Sequence, residues 1–194
     1  MQVEGILGTI PQRRIEEALQ AVLPDFQRCF LQGLAEVDVL GGALRFYFHV
    51  ALDGHVAWVI PRASNVGHRA TELCLLARAK RVRFPQPKGG GPAEFAWGLE
   101  NDANNGAQPP LVWPAEQASA IVAKQRASLE PCATSEDERF ELTVFVAPGG
   151  SVLAAGAAVA TNTASEHIDC VLDAVRAWTF PDPGSSTAKL SLSL

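Results

Sequence analysis

Cysteine and histidine are the residue types here that could serve as nucleophile, base or metal ligand, and the chain carries four of each. The cysteines are Cys29, Cys74, Cys132 and Cys170; the histidines are His49, His55, His68 and His167. No two cysteines have C-x-x-C spacing and none sits in a Cys/His cluster of metal-ligand spacing, so zinc is not expected. A thiol enzyme needs a reactive cysteine beside a base, and the histidines share no motif with the cysteines. His49 falls on the polar face of a strand, His55 follows a hairpin glycine, and His68 and His167 lie near helix starts; each reads as surface. Pro87-Lys88-Gly89-Gly90-Gly91-Pro92 lacks the G-x-x-x-x-G-K-[ST] spacing of a phosphate loop and follows a helix rather than a strand. The acidic run Glu136, Asp137, Glu138 reads as a solvated turn. No enzymatic activity, metal or cofactor is therefore expected.

The chemistry left to the cysteines is cross-linking. Four cysteines allow three pairings. One cysteine ends the first helix and another lies inside the second helix of each half of the chain, which favours Cys29 with Cys74 and Cys132 with Cys170. Each bond would close a loop of about 40 residues and contribute roughly 3–4 kcal/mol on the chain-entropy model. Four buried reduced thiols are the alternative. Disulfides would imply an oxidising compartment. The start, MQVEGILGTI, has no basic segment, long apolar run or cleavage site of a signal peptide, so export would require sequence upstream.

The elements that position these cysteines occur twice. Pro11–Cys29 and Pro114–Cys132 have equal length at an offset of 103. Ile15, Ala18, Leu19, Val22, Phe26 and Phe30 recur at helical spacing, as Ala118, Ile121, Val122 and Leu129 do more weakly. The opening prolines suit a first helical turn, and Pro24 should kink or restart its helix. At an offset of 96 come two hairpins. Leu44, Phe46, Phe48 and Val50 alternate with Arg45, Tyr47 and His49, then Asp53-Gly54 turns the chain toward Val56, Trp58 and Ile60. Phe140, Leu142, Val144 and Val146 repeat the pattern with Gly149-Gly150 at the turn. A helix follows each hairpin, carrying Leu73, Cys74, Leu76 and Ala77 in one copy and Ile168, Val171, Leu172, Val175 and Trp178 in the other. Phe84-Pro85-Gln86-Pro87 and Phe180-Pro181-Asp182-Pro183 end these helices. Last strands follow at Phe95, Trp97, Leu99 and at Leu190, Leu192, Leu194. The expected fold is α+β: two tandem helix–strand–strand–helix–strand repeats, each with a small antiparallel sheet, over 1–100 and 113–194. The Asn-, Gly- and Pro-rich stretch 101–112 reads as a linker.

Composition narrows the partners. Hydrophobic residues make up 47% and charged residues 19% of the 194, which is globular material. Net charge is −5, divided as 11 Lys/Arg against 10 Asp/Glu in 1–100 and 5 against 11 in 101–194. That balance argues against nucleic acid. The basic cluster Arg78, Lys80, Arg81, Arg83 and Lys88 reads as cations complementing a helix C-terminus. No apolar run approaches the roughly 18 residues of a membrane span.

LPDFQRCF at 23–30, the hairpin around ALDGHV at 51–56 and ELCLLARAKRVRFPQPKGGG at 72–91 together resemble the TonB C-terminal-like domain. The similarity is to the variety that ends AgmX/PglI-type gliding-motility proteins of myxobacteria. The first copy covers 10–99 and has Phe30 where tyrosine is usual. The second covers 113–194 and is degenerate, with Glu130-Pro131-Cys132-Ala133 in place of the Arg-Cys-aromatic pattern. The resemblance implies a non-enzymatic periplasmic interaction module within a larger exported or membrane-anchored protein of a Gram-negative envelope machine, serving TonB-like energy transduction or gliding motility. Its partner would be an envelope protein, in one form an extended peptide of an outer-membrane protein added as a strand at a sheet edge. The candidate edges are the last strands, with Glu94, Phe95, Ala96 and Trp97 in one copy and Lys189, Leu190, Ser191 and Leu192 in the other. The alternative is a scaffold whose two repeats pack edge to edge and bind no extended peptide.

Overall fold

The computed structural model describes residues 3–4, 10–89, 91–101, 109–114, 116–132 and 138–194. The expectations that fall on Gly90, Ala133, Glu136, Asp137 and most of the stretch read as linker lie outside them, as does the Ala118 side chain.

Pro24 does restart its helix. Gln12–Gln20 (α1) gives way at Ala21-Val22 to Leu23–Leu34 (α2), with the proline in the first turn of α2 where its missing N–H costs nothing. The corresponding segment of the second half breaks at the same place: Glu116–Gln125 (α4) runs into a 3₁₀ helix, Arg126–Cys132. The hairpins are Gly42–Val50 (β2) with Val56–Ser64 (β3), and Phe140–Val146 (β6) with Val152–Val159 (β7). Arg69–Lys80 (α3) and Ile168–Arg176 (α6) follow them, the latter after a single turn at Asn162–Ser165 (α5). Ala93–Asn101 (β4) and Ala188–Ser193 (β8) are the last strands. The result is a mixed α+β fold with two small sheets.

Each core forms mainly between a sheet and its own helices, and the first also takes in Phe145 and Ala154 of the second sheet. Phe26, Phe30, Phe46, Phe48, Phe95 and Trp97 are buried in the first, with Phe46 stacked on Phe26 and Trp97 and Phe48 on Phe95. Phe140, Leu142, Val144, Val171, Leu172, Trp178 and Leu190 fill the second. Disulfides join the helices as the repeat suggests, Cys29 to Cys74 and Cys132 to Cys170, with Cα atoms 5.7 and 5.6 Å apart. Bulges in the β2–β3 pairing at Arg45/Phe46 and His49/Val50 set Val59, opposite Phe48, on the core face with Val56. Trp58 and Ile60 pair with His49 and Tyr47 on the other face. α3 carries Leu73, Cys74, Leu76 and Ala77 as expected, but Leu73 is exposed while Glu72 and Arg69 are buried.

The repeated Phe-Pro-x-Pro corner has a partner that sequence did not suggest. Phe84 N–H donates to the Gly54 carbonyl at 2.9 Å, and Phe180 N–H to the Gly150 carbonyl at 2.8 Å. Bridges His55–Arg83 and Ser151–Thr179 extend the contact. Both glycines have positive φ, +84° and +85°, and a Cβ on either would stand 2.0 or 2.1 Å from the phenylalanine carbonyl oxygen. Each corner is thus stitched onto its own hairpin turn, which fixes the angle between the second helix and the last strand.

The sheet orders correct the expectation of open last strands. They are β1-β4-β2-β3, with Val3–Glu4 as β1, and β5-β8-β6-β7, with Leu111–Trp113 as β5. Val3 and Glu4 pair antiparallel with Trp97 and Ala96. Leu111–Trp113 pairs parallel with Ala188–Leu190. The end of the stretch read as linker therefore belongs to a strand, and Asn101 still lies in β4.

Gly54→Ala and Gly150→Ala should each cost about 1–3 kcal/mol through backbone strain, whereas Gly98→Ala, whose Cβ meets nothing within 4 Å, should stay within about 0.5 kcal/mol of wild type. Urea unfolding of the three variants checks this; equal losses would remove the corner contact from the account.

Candidate interaction surface

The two sheets differ in what covers the face turned away from their own helices. On the second sheet that face is lined by Thr143, Phe145, Ala154, Gly156 and Ala158, and it is buried. The first half covers it. Glu72 on α3 lies over Gly156, where a Cβ would come within 2.4 Å of its carboxylate. Ala157 N–H, on the outer side of β7, donates to Glu72 Oε2 at 3.1 Å, and Ser64 Oγ donates to Oε1 at 2.7 Å. The carboxylate thereby occupies a hydrogen-bonding position that another strand would fill.

Four further links cross the same seam. Arg69 Nε donates to Asp169 Oδ1 at 2.7 Å. Thr143 Oγ1 donates to the Ser64 carbonyl at 3.4 Å. Lys189 Nζ donates to the Gly41 carbonyl at 2.9 Å and sits over the Phe145 ring. Gly67 packs against Thr143 and Phe145. Burial holds the Lys189 amine below its ordinary pKa. Burial likewise pushes the Glu72 carboxyl above the ordinary carboxylate range, opposed by Ser64, the Ala157 and Gly67 amides and Arg69.

The first sheet's outer face instead fills itself. At the positions equivalent to Thr143, Phe145, Ala154 and Gly156 stand Tyr47, His49, Trp58 and Ile60. His49 stacks on Trp58 with centroids 5.0 Å apart, and the Arg62 guanidinium lies 4.6 Å above the Tyr47 ring. Glu94 accepts from Tyr47 Oη at 2.9 Å and contacts His49 Nδ1 at 2.7 Å. The hydrogen bonds from His49 and then Tyr47 hold Glu94 below its usual pKa, and the bond to Glu94 raises the Tyr47 phenol. Tyr, Trp and Arg on a partly exposed, pre-ordered face have the composition of protein-interaction hot spots.

Of the candidate edge residues, Phe95, Trp97, Leu190 and Leu192 are core, and Ala96 is buried beside β1. Glu94 belongs to the aromatic face, Lys189 to the seam, and Ser191 Oγ lies 3.2 Å from Thr143 Oγ1. Beyond β1, the Gly98–Asn101 tail of β4 borders a cleft of about 930 Å³ shared with Arg45, Glu141, Thr143 and Ser191. The histidines correct another expectation. His68 is buried, with Nδ1 2.9 Å from Thr71 Oγ1, and His167 pairs with Glu138 at 2.9 Å. Sequence reading allowed the two repeats to pack edge to edge but placed none of the residues that form the seam, and it missed the aromatic face and β5. The small-residue run Ala154-Ala155-Gly156-Ala157-Ala158 was the available signal for the seam, since it leaves room for another element.

Among the described residues, no three His, Cys, Asp or Glu side chains converge as a metal site, and no helix is long and apolar enough to cross a membrane. Compared with protein-family models, curated proteins and solved structures, the chain finds no match.

The raised Glu72 carboxyl gives stability a definite pH sign. The native chain binds this proton more tightly than the unfolded chain, so the group's contribution is fullest below the ordinary carboxylate pKa and declines as pH rises through the raised native value. Glu72→Gln keeps the shape and removes the titration. Urea unfolding at several values between about pH 4 and 9 should show wild type losing stability relative to Glu72→Gln as pH rises; parallel curves would refute the assignment. Glu72→Ala, which strands the Ala157 amide, should lose about 1–3 kcal/mol.

Proposed function

We propose that the chain is a non-enzymatic, periplasmic protein-interaction module of a cell-envelope machine, of TonB-like or gliding-motility type, built as two TonB C-terminal-like repeats. It takes an extended segment of an envelope partner at the outer edge of a last strand. The observation that carries this reading is that β4 and β8 each already hold a short extended segment on that edge, antiparallel in one case and parallel in the other. An edge that accepts strands has its N–H and C=O rows presented for pairing. The two disulfides fit an oxidising compartment outside the cytoplasm.

A second reading, a scaffold that binds a folded partner and no peptide, draws on the seam and the aromatic face. There β3 and β7 lie side by side without pairing, and Tyr47, Trp58 and Arg62 are the residues presented.

Screening the full chain against an array of extended ten-residue peptides, with backbone amide exchange to map each hit, separates the two. The edge reading expects protection within 93–101 or 188–193 and loss of binding when a mid-peptide residue becomes proline, with Tyr47→Ala and Trp58→Ala having little effect. Protection confined to 47–62, tolerance of proline and loss of binding in those two variants would overturn it in favour of the scaffold.

A further inference from the structure

The edge of β8 is occupied by the chain itself, and its occupant is unlike the other strands. Leu111–Trp113 is three residues long, paired parallel where every other pairing among the described strands is antiparallel. Parallel pairing is slightly weaker per residue. Pro110 and Pro114 bracket it, and neither has an N–H to extend the ladder. Leu111 N–H donates to the Thr187 carbonyl at 2.9 Å. Val112 is 82% exposed and Leu111 46%, so neither contributes much burial to hold the strand. Trp113 alone packs on the second core, half-buried.

We infer that Leu111–Trp113 is a resident strap that closes the β8 edge until a competing extended segment, carrying an aromatic residue for the Trp113 position, displaces it. This rests on the edge-binding reading above and adds a regulatory element: the second acceptor edge is shut by default. Backbone pairing across Ala188–Leu190 is common to strap and competitor, so exchange conserves the ladder bonds. The apolar notch under Trp113 sets which competitor succeeds. Because the strap is tethered, a free peptide sees only the fraction of molecules in which it has lifted, and its apparent affinity falls by that fraction.

The test uses the full chain and a dye-labelled synthetic peptide of residues 109–114. Leu111→Pro removes the N–H given to Thr187 at an exposed position without touching the core. The variant should bind the peptide about tenfold or more tightly than wild type, and amide exchange across 188–190 should quicken without peptide and slow again with it. Equal binding by wild type and Leu111→Pro would overturn the strap while leaving the edge reading intact. Absence of binding in both, with exchange at 188–190 faster in the variant, would overturn the edge reading at β8 and the strap with it. Unchanged exchange would show that the strap does not cover the edge. Val112→Ser, exposed and outside the ladder contact to Thr187, is the control and should behave as wild type.

Discussion

A buried carboxylate set against a glycine decides how the two halves of this chain meet. Glu72 can reach the Ala157 amide only because Gly156 presents no side chain. Once there, it brings α3 and the end of β3 across the β7 side of the second sheet's outer face. A second sheet left with that face in water would expose Phe145 and the alanine run. Burying them adds apolar area at about 25 cal/mol per Å², while the charge is tolerated because Ser64, two backbone amides and nearby Arg69 attend it. The β3 and β7 edges are hidden by the same contact, so pairing with foreign strands is confined to the far side of each sheet.

That far side is where the functional reading lies. The last strands sit next to the outermost position of their sheets, each carrying a few residues of extended chain, and the first sheet's outer face bears an aromatic cluster tied together by the Tyr47 and His49 contacts to Glu94. These are different kinds of surface. The edge offers backbone groups and little side-chain selectivity; the aromatic face offers Tyr47, Trp58 and Arg62 in fixed positions, with little ordering entropy left to lose on contact. Neither requires catalytic groups, and the chemistry of the cysteines is spent on holding helices together.

Much of this was legible because it depends on local pattern. Period-two alternation located the β2 and β6 core faces, Pro24 marked the helix restart, and one cysteine per helix in each half matched the disulfides. What escaped depends on the halves touching. The helix carrying Leu73, Cys74, Leu76 and Ala77 was placed, but not the face it buries: this helix meets a second sheet and spends Glu72 and Arg69 there while Leu73 stays exposed. His68 looked superficial near a helix start, and it is buried between α2 and α3. Leu111–Trp113 is too short and too proline-bound to read as a strand. The corner motif was recognised as a repeat, but its partner, the hairpin glycine, lies some 30 residues earlier in each half, and only the folded chain brings them together.

The seam joins unlike surfaces, a plug on the first half and a socket on the second, and such a head-to-tail contact could in principle propagate into a filament. It stops after one step for two reasons visible in the side chains. Ile168 stands where a second plug would need Glu72 and turns into its own core, and Trp58 and Ile60 fill what would otherwise be the first half's socket. The pair is therefore self-terminating: the matching positions of the two halves carry different side chains, and each half presents only one side of the contact.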